Sequence, residues 1–153
     1  AFAKLDTIKG DVVWWEAGAQ PPQLLADGEV TMAYAFNGRI FNAAIGENKP
    51  FNIVWDGQIW NLDVWAVSSV SRHKELALDF IRFATTGERL AEQVKWISYG
   101  PVRKSSQELV PETAREFLPT SEQNFRTALQ NDNDFWADHQ DEIGQRWSTW
   151  LHQ

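Results

Sequence analysis

The sequence predicts an α/β fold, and three observations carry the prediction. Short apolar runs recur through the first half, at 11–15, 29–36, 51–55 and 62–67. Stretches with the 3.6-residue apolar period of an amphipathic helix alternate with them and dominate the second half. Gly, Pro, Asn and Asp punctuate the joints between the two kinds of segment.

The first ten residues place Phe2, Leu5 and Ile8 on one helical face, and Lys9-Gly10 ends that turn. The run at 11–15 reads as a strand. Pro21-Pro22 starts a helix over 23–26 that stops at Asp27-Gly28. A second strand over 29–36 sets Val30, Met32, Tyr34 and Phe36 on one side. Asn37 is a good N-cap for a helix over 38–45, with Ile40, Phe41, Ala44 and Ile45 as its apolar face and Gly46 as its end. A third strand covers 51–55, Asp56-Gly57 is a turn, and a fourth strand covers 62–67. Leu76, Ala77, Phe80, Ile81 and Ala84 predict a helix over 72–84. Thr86-Gly87-Glu88 interrupts it, and Leu90, Ala91, Val94 and Ile97 continue as another. Tyr99-Gly100-Pro101 is a loop. Residues 111–117 form a short helix, Ser121 caps one through 129, and Asp134 caps the last. The stripe of that last helix is Phe135, His139, Ile143, Trp147, Trp150 and Leu151.

Composition bounds the function. The chain has 153 residues, a net charge of -7 and no cysteine. The acidic balance argues against a nucleic-acid or polybasic membrane-surface partner. Zero Cys excludes disulfides, thiolate metal sites and Cys nucleophiles. No apolar run approaches the roughly 20 residues of a membrane-spanning helix. A chain that opens inside an amphipathic helix, without a signal-type segment, reads as a piece of something longer.

The sequence offers little for catalysis. His73, His139 and His152 are scattered without metal-ligand spacing, and no cofactor is implied. There is no GxSxG and no phosphate-binding glycine loop. Carboxylates are plentiful, but nothing selects two of them for glycoside hydrolysis. The informative pattern is aromatics interleaved with single carboxylates near strand ends: Trp14-Trp15-Glu16, Phe36-Asn37-Gly38, and Trp55 through Trp65 with Trp60 and Asp63 between. In α/β sheets ligands bind beyond the carboxyl ends of strands. Aromatic faces with a carboxylate suit an organic ammonium, each ring contributing about 0.5–2 kcal/mol. The same aromatics also serve as core packing. Asp63, alone within the apolar Leu62-Asp63-Val64-Trp65, needs a partner if buried.

Gly28-Glu29-Val30, Phe36-Asn37-Gly38, the segment 60–63 and the helix over 72–84 resemble, in that order, the periplasmic polyamine (spermidine/putrescine) binding proteins of bacterial ABC transporters. The order continues through Tyr99-Gly100-Pro101, Val110-Pro111-Glu112, Leu118-Pro119-Thr120 and Phe135-Trp136-Ala137-Asp138. The resemblance covers the whole chain but only the C-terminal half of such a protein. It implies an incomplete part of a two-lobed, type II periplasmic-binding-protein fold with several C-terminal helices. Residues 1–61 would belong to the second lobe, 62–98 would return to the first, and 99–153 would pack back on the second. The strand over 62–67 and the helix after it would then expose faces, which favours a homo-oligomer or a companion N-terminal fragment.

The resemblance further implies a non-enzymatic, periplasmic or membrane-associated extracellular substrate-binding component. It would close on a small cationic amine and present it to a membrane permease. Asp63 matches the family's acidic residue for a ligand amine. Phe36 stands where the family often has Trp, Trp60 resembles the pocket Trp preceding the acid, Tyr99 matches a pocket Tyr, and Trp15 is a looser candidate. The alternative from another class is a tryptophan-lined carbohydrate-binding module or glycosidase fragment.

Overall fold

A computed structural model describes residues 1–153. Helix α1 is a single turn, Phe2–Leu5, followed by a 3-10 turn at Lys9–Asp11. Helix α2, Gln20–Ala26, carries Pro21 and Pro22 in its first turn, where a missing N–H costs nothing. Gly28 leaves it at φ +71°, the left-handed conformation that glycine adopts without strain. Helix α3, Asn37–Phe41, runs on into a wider π turn, Asn42–Gly46. Asn37 does not cap it as expected. It is the first helical residue, and its amide is engaged 61 positions away.

The second half is helical as its periodicity predicts. Helix α4 is Lys74–Ala84, two residues shorter at its start than expected. Helix α5 is Gly87–Gln93, capped by the Thr86 hydroxyl, which accepts from the Arg89 N–H at 3.4 Å. Helices α6 (Lys104–Leu109), α7 (Glu112–Arg115) and α8 (Glu122–Phe125) are short. Helix α9, Asn133–Leu151, is capped by Asp132 rather than Asp134: Asp132 Oδ1 accepts from the Phe135 N–H at 3.0 Å.

The four expected strands are corrected. None of 11–15, 29–36, 51–55 and 62–67 joins a ladder. The one parallel pairing is two residues long, β1 (Ile59–Trp60) on β2 (Leu129–Gln130), with Ile59 opposite Leu129. A strand exists only by virtue of a neighbour that takes its N–H and C=O groups. The apolar runs supply side-chain pattern and lack that neighbour, so Met32 and Val64 are each 83% exposed.

One core gathers Ala91 and Val94 at α5, Val110 after α6 and Leu118 after α7, with Ala114 packed against it. Asn124, buried in α8, ties that region together by donating to the carbonyls of Glu116 (2.9 Å) and Leu118 (2.8 Å). The two ends of the chain meet in an aromatic cluster of Phe2, Trp14, Trp147 and Trp150. The expectation of a half-built fold is corrected in this respect: Phe2, Asp6, Lys9 and Trp14, from the first fifteen residues, pack on Trp147 and Trp150 of the last helix. The outward face of α4, with Leu76, Phe80 and Phe83, does lie exposed, touched by Trp65 at 5.6 Å from Phe80.

Candidate functional site

The wall of the site is assembled from two loops distant in sequence. Trp15 donates its indole N–H to the Tyr34 carbonyl at 3.0 Å and sets its ring edge-on to Phe36, centroids 6.1 Å apart. That edge-to-face geometry follows the aromatic quadrupole. Gly18 lets Phe36 lie close: a Cβ there would stand 2.9 Å from Phe36 Cδ2. Phe36 remains 57% exposed, so its face is available to a ligand.

Asn37 then bridges to the second loop. Its amide donates to the Ser98 carbonyl at 2.7 Å and to the Ser98 hydroxyl at 3.2 Å. Ser98 is fully buried, so these bonds satisfy groups that water cannot reach. Gly38, also buried, is the floor on which Tyr99 rests, since a Cβ on Gly38 would lie 2.8 Å from Tyr99 Cε1. Gly100 sits against the Thr120 side chain. Beyond it the Gln58 amide donates to the carbonyls of Pro119 and Asn124, both at 2.9 Å, which fixes the approach to Trp60.

Of the five residues singled out in the sequence, Trp15 and Phe36 meet ring to ring, and Tyr99 lies against Gly38, next to the Asn37 that bonds to Ser98. Trp60 is half-buried, its ring 5.6 Å from Phe125. Asp63 is exposed, three residues past β1, with neither a hydrogen bond nor an ion pair. The strand expected around Asp63 does not form, and its carboxylate, which would need a partner if buried, faces water instead.

Sequence reasoning missed three contributors. Gly18 and Gly38 make the close approaches, and the only signal for them was their place beside aromatics. Arg39 follows Gly38 in the same helical turn, exposed and without a carboxylate partner. It lines, with Gln23, Asn42, Glu47 and Lys49, a hollow of about 290 Å³ between α2 and the π turn. No three His, Asp or Glu side chains gather as a metal site would require. Exposed ring faces suit contact with a small organic cation, and Arg39 and Asp63 are two of several charged side chains without an ion pair.

Residues 1–120 match the family of bacterial extracellular solute-binding proteins. The chain is 45% identical over 150 residues to the gamma-aminobutyric acid-binding protein of Pseudomonas aeruginosa, a match spanning 98% of this chain and 42% of that protein. A solved GABA receptor superposes with a TM-score of 0.83 at 34% identity, over 98% of this chain and 46% of that one. An ABC transporter substrate-binding protein from Bradyrhizobium japonicum USDA 110 superposes with a TM-score of 0.80 at 28% identity, over 97% and 47%. The chain thus spans less than half the length of these relatives. These matches correct two expectations. The resemblance to polyamine-binding proteins is corrected: the similar proteins are named for GABA and, in one solved complex, for agropinic acid. The expected incomplete part of a two-lobed fold is corrected as well: 97–98% of the chain follows the α/β periplasmic-binding fold. The relatives lend no support to the expected homo-oligomer or companion N-terminal fragment.

Proposed function

This chain belongs to the bacterial extracellular solute-binding proteins, and on that premise we propose that it acts in the substrate-binding component of an ABC uptake transporter, taking a small amine that also carries a carboxylate, of the γ-aminobutyrate kind. It is a binding protein and not an enzyme, and it works in the periplasm or outside the cell. The observation that carries the ligand reading is the exposed ring of Phe36, set edge-on by Trp15 and joined through Asn37 and Gly38 to the Ser98-Tyr99 loop.

The roles follow from the chemistry of such a ligand. Its short methylene chain lies on Phe36, flanked by Trp15 and Tyr99. Its ammonium is drawn to ring faces and to a carboxylate, for which Asp63 is free, and Trp60 stands on the Asp63 side. Its carboxylate needs a cation, and Arg39, one residue past Gly38 and without an ion pair, is the guanidinium this reading assigns to it. The chain crosses between two lobes near 62 and 99 in this reading, and closure of the lobes on the ligand presents the loaded protein to the membrane permease.

Calorimetric titration of the chain with γ-aminobutyrate, putrescine, spermidine and an oligosaccharide tests this. The expected result is saturable heat with γ-aminobutyrate, and binding of the diamines at least about tenfold weaker, as loss of a charge-assisted pair implies. Putrescine binding as tightly as γ-aminobutyrate overturns the role of the ligand's carboxylate. Response to the oligosaccharide alone overturns the amine reading altogether.

A further inference from the structure

We propose that Trp14 is a positioning residue for the ligand wall: helix α9 grips it, and through the single peptide that joins them it sets where Trp15 stands. The inference rests on the reading above insofar as Trp15 touches ligand. The mechanical part stands on contacts alone.

Residues 12–15 make no backbone hydrogen bond, so no ladder holds this segment. Its placement is left to two neighbouring side chains with separate partners, Trp147 and Trp150 for Trp14 and Phe36 for Trp15. Trp14 enters the cluster on α9, edge-on to both Trp147 and Trp150 at 5.3 Å, while those two rings lie 5.2 Å apart. The cluster is itself braced. The Trp150 indole N–H donates to Asp6 Oδ1 at 2.6 Å, and the Lys9 ammonium sits 4.5 Å over the Trp150 ring and donates to the Trp150 carbonyl. The Trp14 indole N–H reaches back to the Lys9 carbonyl at 3.4 Å.

Trp15, by contrast, has one exposed hydrogen bond, to Tyr34, and one ring edge, on Phe36. Neither partner lies in a ladder. The stronger restraint on the dipeptide is therefore the one at Trp14. Consecutive Cα atoms keep a fixed separation across a planar peptide. A shift of Trp14 out of the cluster is therefore passed to Trp15 and to the edge it presents to Phe36.

The test substitutes Trp147, which touches neither Trp15 nor Phe36 in the ring contacts. The chain is labelled with 5-fluorotryptophan, its Trp15 line assigned by Trp15→Phe, and fluorine NMR is recorded for Trp147→Ala, Trp147→Phe and, as a control on the same helix, Trp136→Ala. The Trp15 line is expected to move or broaden in Trp147→Ala, to return in Trp147→Phe and to stay in place in Trp136→Ala. The affinity for γ-aminobutyrate should fall about 3- to 10-fold in Trp147→Ala, the worth of an aromatic pair, and recover in Trp147→Phe. Should Trp147→Ala fail to fold, Trp147→Leu takes its place.

An unmoved Trp15 line in the folded variant overturns the proposal, as does a moved line with wild-type affinity. If the wild-type chain binds no γ-aminobutyrate, the ligand reading fails, and the fluorine line still decides whether α9 positions Trp15.

Discussion

Gly38→Ala tests whether the two loops of the site meet as closely as described, because the sign of its effect depends on it. Gly38 lies in α3 and is not among the glycines with positive φ, which are Gly28 and Gly57. An alanine there meets no backbone strain. In a helix with open space around it, the change would stabilise by about 0.8–1 kcal/mol through propensity alone. Here the new methyl would stand 2.6 Å from Ile97 Cγ1 and 2.8 Å from Tyr99 Cε1. Both groups must retreat by roughly 0.6–0.8 Å to regain ordinary van der Waals contact. Overpacking of this kind costs about 1–3 kcal/mol. The net expectation is a loss of about 1 kcal/mol, or a midpoint lower by about 2–4 °C for a chain of this size. The retreat of Tyr99 also pulls on Ser98 and its two bonds to Asn37, so affinity for γ-aminobutyrate falls with it. Thermal unfolding followed by near-ultraviolet circular dichroism, with a parallel calorimetric titration, reads both effects. A rise in the midpoint, the signature of propensity without collision, would refute the close approach.

Four further outcomes follow from the same contacts. Leu118→Ala, at a core position only 2% exposed, should cost about 2–5 kcal/mol and lower the midpoint by about 5–15 °C, read by calorimetric melting. Asn37→Ala strands the buried Ser98 carbonyl and should cost about 1–3 kcal/mol by denaturant titration, while Asn37→Asp, which cannot donate, should not rescue it. Asp132→Ala removes the cap of α9 and should lose about 0.5–2 kcal/mol, whereas Asp134→Ala should change stability by less than about 0.5 kcal/mol. Asp63→Asn, at an exposed carboxylate, should leave the melting midpoint unchanged and weaken γ-aminobutyrate about 10- to 100-fold. Unchanged affinity would remove Asp63 from the ligand's ammonium.

What was legible in the sequence is what is local. Helices α4 and α9 show themselves because their apolar stripes recur within a few positions, and α9 adds an acidic capping residue at its start. Even so, choosing between Asp132 and Asp134 as cap requires backbone geometry: the capping residue is the one still extended, as Asp132 is at ψ 94°. Helix α6 went unread because Lys-Ser-Ser-Gln-Glu-Leu offers a single apolar residue and hence no period. The four apolar runs were misread as strands because alternation records which side chains are apolar and not whether a second strand lies alongside.

The site divides in the same way. Aromatic residues beside turn signals marked Trp15 and Phe36, but the bonds that make a wall of them cross 61 positions, from Asn37 to Ser98, and rest on Gly38, whose role lies in what it lacks. The tryptophans make the point most sharply. Trp14 and Trp15 are adjacent and equally aromatic, and in the sequence only a loose family resemblance sets Trp15 apart. Their partners do: Trp14 packs on Trp147 and Trp150 at the end of the chain, and Trp15 on Phe36 at the ligand wall. A residue's part in such a site is decided by neighbours that the chain brings in from far away. The two indoles that sequence treats as a pair are therefore the joint between the domain's closing helix and its binding surface.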